Sequence, residues 1–440
     1  MDIGVAGAGF SGLAFCTALL TRDAALRVAQ FGEAGQFGTG LAYGPAAGRF
    51  LLNSRADQMG LDAAEPGGFA DWLGLEGEAR RSFQPRAVFG RYLKACSEQL
   101  ARTHGDRLRQ VPLKLVAAER HGDGWRVRDE AGSVLACRTL VLACGALPAR
   151  PLPPVVAAGL EGDRDVIVDA LIPGALRHVD PDGQVLIAGT GPTMIDAALG
   201  LLEQGHRGRI LAFSRRGLIP LPHLESPAPA LPPPPMARVD ARGGLAMLRH
   251  LAIEQGDWRP AMDGLRGQFA ELWRRADAPQ RRRFLRHVAA YWSVHRHRLP
   301  PQQWQRLEAA IARGQLQIHA ARLEAVARDA DGLRVTLLPR CGNARNLAAA
   351  ALVQATGFGS RLADNPLLAT LLDGGWLRPD PLALGADVDA AGRALDHAGR
   401  PLESLYLLGA LTRGEAWEIT AVPELRQAAD RLGAHLLAST

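Results

Sequence analysis

Twice along this chain a short apolar strand runs into a glycine-spaced turn and then into an apolar helix. This repetition constrains the fold more than any other feature. The first instance is Ile3-Gly4-Val5-Ala6, then Gly7-Ala8-Gly9-Phe10-Ser11-Gly12, then Leu13, Phe15, Leu19 and Leu20. The second is Val185-Leu186-Ile187-Ala188, then Gly189-Thr190-Gly191-Pro192-Thr193-Met194, then Ile195, Ala198, Leu199 and Leu202. The first glycine of such a turn allows the bend, and the second lets backbone N–H groups approach a pyrophosphate at a helix N-terminus. One glycine turn is weak evidence, because such loops are common, whereas two in the required strand–turn–helix setting predict two bound dinucleotides. The expected class is α/β, with two Rossmann-like domains and the chemistry of a flavin–nicotinamide oxidoreductase. The competing reading is a pair of ordinary strand–helix turns.

At 440 residues the chain is too long for one core. Residues 1–155 read as the first part of an FAD-binding domain and 156–221 as the first part of an NAD(P)-binding domain. Residues 222–313 read as a Pro-rich connector and helical insertion, because Pro227-Ala228-Pro229-Ala230-Leu231-Pro232-Pro233-Pro234-Pro235 cannot be helix interior. Apolar anchors at helical spacing follow it, among them Trp258, Phe269, Leu272, Trp273, Phe284, Leu285, Val288, Tyr291 and Trp292. Residues 314–345 alternate like strands and close the NAD(P)-binding domain. Residues 346–440 are expected to return to the FAD-binding domain, starting with the strand Ala351-Leu352-Val353-Gln354.

Charge and cysteine usage exclude several classes. The formal net charge of +6 is carried almost wholly by arginine, since Lys94 and Lys114 are the only lysines. No basic stripe is interleaved with aromatics, so nucleic acid is not an expected partner. Anionic cofactors and substrate account for a modest positive excess. Cys16, Cys96, Cys137, Cys144 and Cys341 are scattered, with no Cys-x-x-Cys pair, which argues against a zinc site and a redox dithiol. His295 and His297 diverge on a helix and have no completing ligands, so no metal is expected. No apolar run approaches the ~20 residues of a membrane span, and the N-terminus enters a strand at once, so a cytoplasmic protein with no membrane partner is expected.

Several motifs together resemble a family of bacterial FAD/NAD(P)-binding proteins that includes an FAD-dependent urate hydroxylase. They are Gly7–Gly12, Gly40-Leu41-Ala42-Tyr43-Gly44 with Leu51-Leu52-Asn53, and Pro85-Arg86 with Gly90-Arg91-Tyr92-Leu93. Others are Gly189-Thr190-Gly191 with Met194 and Asp196, Gly205-His206-Arg207-Gly208 leading to Ser214-Arg215-Arg216-Gly217, and Asp257-Trp258-Arg259. The series ends with Arg286-His287 through Tyr291-Trp292, His295-Arg296-His297-Arg298, Ala355-Thr356-Gly357-Phe358 and Trp417 through Arg426. The resemblance implies FAD in the first domain and NADPH or NADH at the second. It also implies a monooxygenase that hydroxylates a small polar substrate with dioxygen through a C4a-hydroperoxyflavin. Urate ring hydroxylation, a step of purine catabolism, is the leading expectation. The alternatives are N-hydroxylation of an amino acid or amine, and an NAD(P)H-dependent flavin reductase or dehydrogenase without oxygen activation. Two departures stand out: Gly32 precedes Glu33 where the family often has Glu directly, and Ala143-Cys144-Gly145 replaces Ala-Thr-Gly.

No catalytic side chain is assigned, because flavin carries the redox chemistry. For FAD the candidates are Gly7, Gly9, Ser11, Gly12, Glu33, Asn53, Arg86 and the backbone of Ile419, Thr420 and Ala421. Glu33 would bind the adenosine ribose, the alternative being a solvated loop carboxylate. Arg86 would meet the flavin phosphates or make a surface ion pair, and Asn53 would reach the flavin ring or satisfy local backbone. For NAD(P) the candidates are Gly189, Gly191, Thr193, Ser214, Arg215 and Arg216. A strand end with Ser and Arg and no acid favours the 2′-phosphate of NADPH, unless both arginines are merely solvated. For substrate the candidates are Arg283, His287 and Tyr291, four apart in a stretch without carboxylates and suited to a planar anion. The alternative is an amphipathic helix with solvated arginines.

Overall fold

In the computed structural model the described residues are 1–22, 25–44, 50–172, 174–226, 229–232, 241–330 and 332–438. The chain divides into two compact units. One comprises residues 1–148, 270–278 and 359–440, the other 149–269 and 279–358.

The first unit is built on a six-stranded sheet. Its spatial order is Arg393–Leu395, Pro401–Leu407, Thr139–Leu142, Ile3–Ala6, Val28–Phe31 and Leu108–Val111. All pairings are parallel except that of the edge strand Arg393–Leu395. The central strands read as unbroken apolar runs because both faces of the sheet are covered. Ile3, Val5, Val28 and Val141 pack on one side with residues of helices Phe10–Leu20, Arg86–Thr103 and Val422–Ala438. Ala6, Ala29, Leu140 and Leu142 pack on the other with helix Pro366–Asp373 and a small antiparallel sheet. That small sheet is Leu115–His121, Gly124–Asp129 and Val134–Cys137. It is tied down by fully buried Trp125, whose indole donates to the Ser404 carbonyl at 2.8 Å.

The second unit carries a seven-stranded sheet in the order Arg345–Ala349, Gly332–Pro339, Leu316–Asp329, Ile210–Ser214, Val185–Ala188, Ala351–Gln354 and Val166–Ile167. Alternate residues again serve two cores: Val185 and Ile187 face one, Leu186 and Ala188 the other. The strand Ala351–Gln354 lies here, parallel to Val185–Ala188, and not in the first sheet. The return to the first unit therefore falls at residue 359 instead of near 346. A fully apolar strand fits the middle of either parallel sheet, so its residues alone do not choose between them.

The expected helical region forms Ala241–Gln255, Arg259–Arg275, Ala278–His287, Ala289–Arg296 and Pro301–Ala312. It is not a separate body, because residues 270–278 group with the first unit and the rest with the second. Of the proline run, Pro227, Ala228 and Pro233–Pro235 lie outside the described residues. Leu231 donates its N–H to the Pro260 carbonyl at 3.0 Å, and its own carbonyl leaves no room for a side chain at Gly264.

Candidate functional site

In the first turn each glycine has a different physical reason. Gly7 has φ +139°, and a Cβ there would lie 2.1 Å from the Ala143 carbonyl oxygen, so the bend and the neighbouring strand both demand glycine. A Cβ at Gly12 would lie 2.1 Å from the Gly7 carbonyl oxygen, so helix Phe10–Leu20 packs directly on the turn. Gly9 differs. Its φ of −77° and ψ of −169° suit any residue, and a Cβ there would meet only the Gly40 backbone, its Cα at 3.4 Å and its nitrogen at 3.9 Å. The helix it caps has no side-chain cap, so its leading N–H groups are left to an outside acceptor. Gln30, fully buried, donates to the Gly7 carbonyl at 3.2 Å and braces the turn from behind.

The second turn repeats this logic. Gly189 has φ +119°, with a would-be Cβ 2.1 Å from the Ala355 carbonyl oxygen. Gly191 has φ −87° and ψ −168°, and a Cβ there would meet nothing within 4 Å. Nothing inside the protein requires glycine at Gly9 or Gly191; an approaching phosphate would. Both cradles fit a dinucleotide pyrophosphate. Half-buried Thr193 sits in the first helical turn beyond Gly191.

At the ribose-reading end of the second sheet the three candidates separate. Ser214 is structural: its hydroxyl accepts from Thr190 at 2.8 Å and from the Gly217 N–H at 3.0 Å. Arg216 donates to the Arg286 carbonyl at 2.7 Å and lies over the Tyr291 ring, 5.5 Å from its centroid. Arg215 is exposed and has no ion pair among the described residues.

The remaining FAD candidates are placed as follows. Glu33 is exposed and pairs with Lys114 at 2.6 Å, a contact an incoming ribose hydroxyl would share or displace. Asn53 is exposed, next to the segment where Leu51 bridges to Pro85 and Leu52 donates to the Gln84 carbonyl. Arg86 opens helix Arg86–Thr103 and lies 5.9 Å from the Phe50 ring centroid. The expected backbone donors of Ile419 and Thr420 are spent on the Ala416 and Glu418 carbonyls, because the loop turns tightly there. Helix Val422–Ala438 begins after Ala421, whose carbonyl accepts from Leu425. Its open donors are therefore the first-turn N–H groups that follow Ala421.

The substrate candidates divide between two consecutive helices, Arg283 and His287 on Ala278–His287 and Tyr291 on Ala289–Arg296. Val288 between them stays in the helical region and keeps the hydrogen bonds to Phe284 and from Trp292. All three candidates are exposed, Tyr291 by 43%, although it was expected also as an apolar anchor. Trp292 supplies the anchor instead, stacked on Phe269 at 4.1 Å between centroids. The segment turns Trp292 and Arg296 inward and leaves Arg283, Arg286 and His287 facing water.

Three contacts around the first turn are set by residues to which the sequence alone gives no such role. Gly40, at φ +55°, brings its backbone against Gly9, and Gly409, at φ +83°, sits against the Ser11 hydroxyl. Both crowd the first turn from distant loops, and glycine loops give no long-range signal. Cys144 replaces the expected threonine by directing its thiol at the Ala6 carbonyl, 3.5 Å away, while burial pushes its pKa up to about 12.

The comparisons agree with this geometry. An FAD-NAD(P)-binding family model matches residues 4–147, which span the first cradle and four of the six strands of its sheet. No curated protein gives a match. Among solved structures, the reduced form of ornithine hydroxylase from Pseudomonas aeruginosa is 17% identical with a TM-score of 0.69, covering 99% of this chain and 98% of the other. An ornithine N-hydroxylase from Kutzneria sp. 744 with reduced FAD, NADP+ and L-ornithine is 17% identical with a TM-score of 0.68, covering 100% and 99%. The FAD-bound cadaverine monooxygenase of desferrioxamine biosynthesis from Erwinia amylovora is 14% identical with a TM-score of 0.67, covering 99% and 93%. The fold is that of FAD- and NAD(P)-binding oxidoreductases, with parallel sheets and Rossmann-type domains as in flavin monooxygenases and reductases.

Proposed function

We propose that this chain is an FAD-dependent, NADPH-consuming monooxygenase that hydroxylates the amino group of a small polar amine or amino acid. The carrying observation is the pair of glycines, Gly9 and Gly191, bare for no internal reason, in a chain that superposes end to end on ornithine and cadaverine hydroxylases. FAD, when bound, would supply the redox chemistry between NADPH and oxygen. The protein supplies position. Amides after Gly9 and Gly191 hold the two pyrophosphates, and Arg215 gives the 2′-phosphate a charged, forked donor. The reductase alternative lacks a Cys-x-x-Cys dithiol for disulfide reduction. Ring hydroxylation of urate rests on the family resemblance and on the acid-free Arg283–His287–Tyr291 stretch; the structural neighbours are instead ornithine and cadaverine oxygenases, and all three side chains are exposed. The test is NADPH oxidation and oxygen uptake with ornithine, cadaverine, related amines and urate. Stimulation by an amine, with N-hydroxylated product, supports the reading; stimulation by urate alone overturns it.

A further inference from the structure

The second unit has a basic depression at the opposite end of its strands from the dinucleotide turn. It measures about 630 Å³ and is lined by the loop from His206 to Arg209 and the loop from Arg313 to Gln315. Arg209 immediately precedes strand Ile210–Ser214, whose far end leads into Arg215, and Ile210 is in register with Leu316. The strand thus separates the depression from the ribose-reading end by its five residues, roughly 16 Å at ~3.3 Å per residue.

The walls are fixed before any ligand arrives. The Gln315 amide donates to the His206 carbonyl at 2.8 Å, and the Ile210 N–H donates to the Gln315 carbonyl at 2.8 Å. Arg207 is anchored by a two-point pair with Asp182, its Nε 2.6 Å from the carboxylate. No carboxylate lines the depression. Arg209 and Arg313 are exposed and have no ion-pair partner among the described residues. His206 is 95% buried beneath this surface, where burial lowers its pKa against the opposing pull of Asp180 and Asp182.

We propose that this depression binds a phosphate-bearing small molecule, with Arg209 and Arg313 as forked donors and Arg207 completing the basic wall. Guanidinium groups match phosphate oxygens two at a time, which favours a phosphoryl ligand over a single carboxylate. The depression lies within the size range of small-molecule sites. It is distinct from both glycine cradles, since none of their residues lines it.

The test is isothermal titration of the FAD-loaded protein, saturated with NADP+, using inorganic pyrophosphate and, separately, ADP. Saturable pyrophosphate binding that Arg209→Gln with Arg313→Gln weakens at least roughly tenfold is expected, as for loss of charge-assisted hydrogen bonds. Equal pyrophosphate and ADP affinities identify free phosphate groups as the recognised chemistry, and tighter ADP binding identifies a nucleotide. Absence of pyrophosphate binding at millimolar concentration, or binding that the arginine variant keeps in full, overturns the proposal. Circular dichroism of the variant separates lost binding from lost folding.

Discussion

Alanine at Gly9 and at Gly12 should fail in opposite ways. At Gly9 the backbone is already extended and the new Cβ touches only the Gly40 backbone, its Cα at 3.4 Å. The unfolded chain loses some freedom, worth about 0.4–1 kcal/mol in favour of the fold, while alanine caps a helix less well by a similar amount. Apo stability should therefore change by less than about 1 kcal/mol. The cofactor suffers instead: a methyl group in front of the helix N-terminus holds the pyrophosphate off the amides. Losing one charge-assisted hydrogen bond, about 1.5–3 kcal/mol, weakens FAD roughly ten- to a hundredfold. At Gly12 the methyl would stand 2.1 Å from the Gly7 carbonyl oxygen, so helix and strand must part. Overpacking of this kind costs about 1–3 kcal/mol or more before any cofactor is added. The assay is thermal unfolding of the deflavinated proteins, followed by FAD titration read at the flavin absorbance. Gly9→Ala should keep the apo melting temperature and lose affinity, whereas Gly12→Ala should lose melting temperature. An equally destabilised Gly9→Ala, or one that binds FAD like the wild type, refutes the assignment of Gly9 to ligand approach.

Further outcomes are as direct. Arg215→Ala should raise the KM for NADPH roughly ten- to a hundredfold and leave NADH nearly unchanged, while Arg216→Ala has the smaller effect because its guanidinium is held by Arg286 and Tyr291; equal effects on both nicotinamides would remove Arg215 from the phosphate site. Asp396, buried in a hairpin turn, accepts the N–H groups of Ala398 and Arg400 and pairs with the Arg400 guanidinium, which holds its pKa below the usual 3.8. Its contribution is therefore present above about pH 4 and lost as pH falls through the lowered folded value, so the melting-temperature gap between wild type and Asp396→Ala should close only in acid; a gap independent of pH contradicts this. In the native protein exposed Cys341 should react first with a thiol reagent, whereas Cys16, pushed up to about 12 by burial, should wait for unfolding; fast labelling of Cys16, read by peptide mass, would place it wrongly.

Much of the scaffold was legible because local chemistry dictates it. The strands at Ile3–Ala6, Thr139–Leu142 and Val185–Ala188 are short apolar runs leading into glycine turns, and the turns after the first and the last carry the spacing that a phosphate cradle requires. The helix periodicity between residues 241 and 312 was equally plain. What stayed hidden depends on long-range contact. Nothing in Ala351–Gln354 says which sheet it joins, and Gly40 and Gly409 reach the first turn only once the chain has folded. Helical spacing alone also did not show that Arg283, His287 and Tyr291 are all exposed, with Tyr291 taken up by Arg216. Arg215 and Arg216, adjacent and chemically alike in sequence, divide into a free cation and a strut only through the position of Tyr291.

The central claim is that hydride from NADPH and dioxygen are spent on the nitrogen of an amine. The most direct measurement follows NADPH consumed and hydroxylamine formed in the same reaction, across ornithine, cadaverine, related amines and urate. The proposed function predicts that one amine stimulates NADPH oxidation and that N-hydroxylated product accumulates in near one-to-one proportion. NADPH oxidation that no amine stimulates, or that urate alone stimulates with a hydroxylated ring as product, contradicts it.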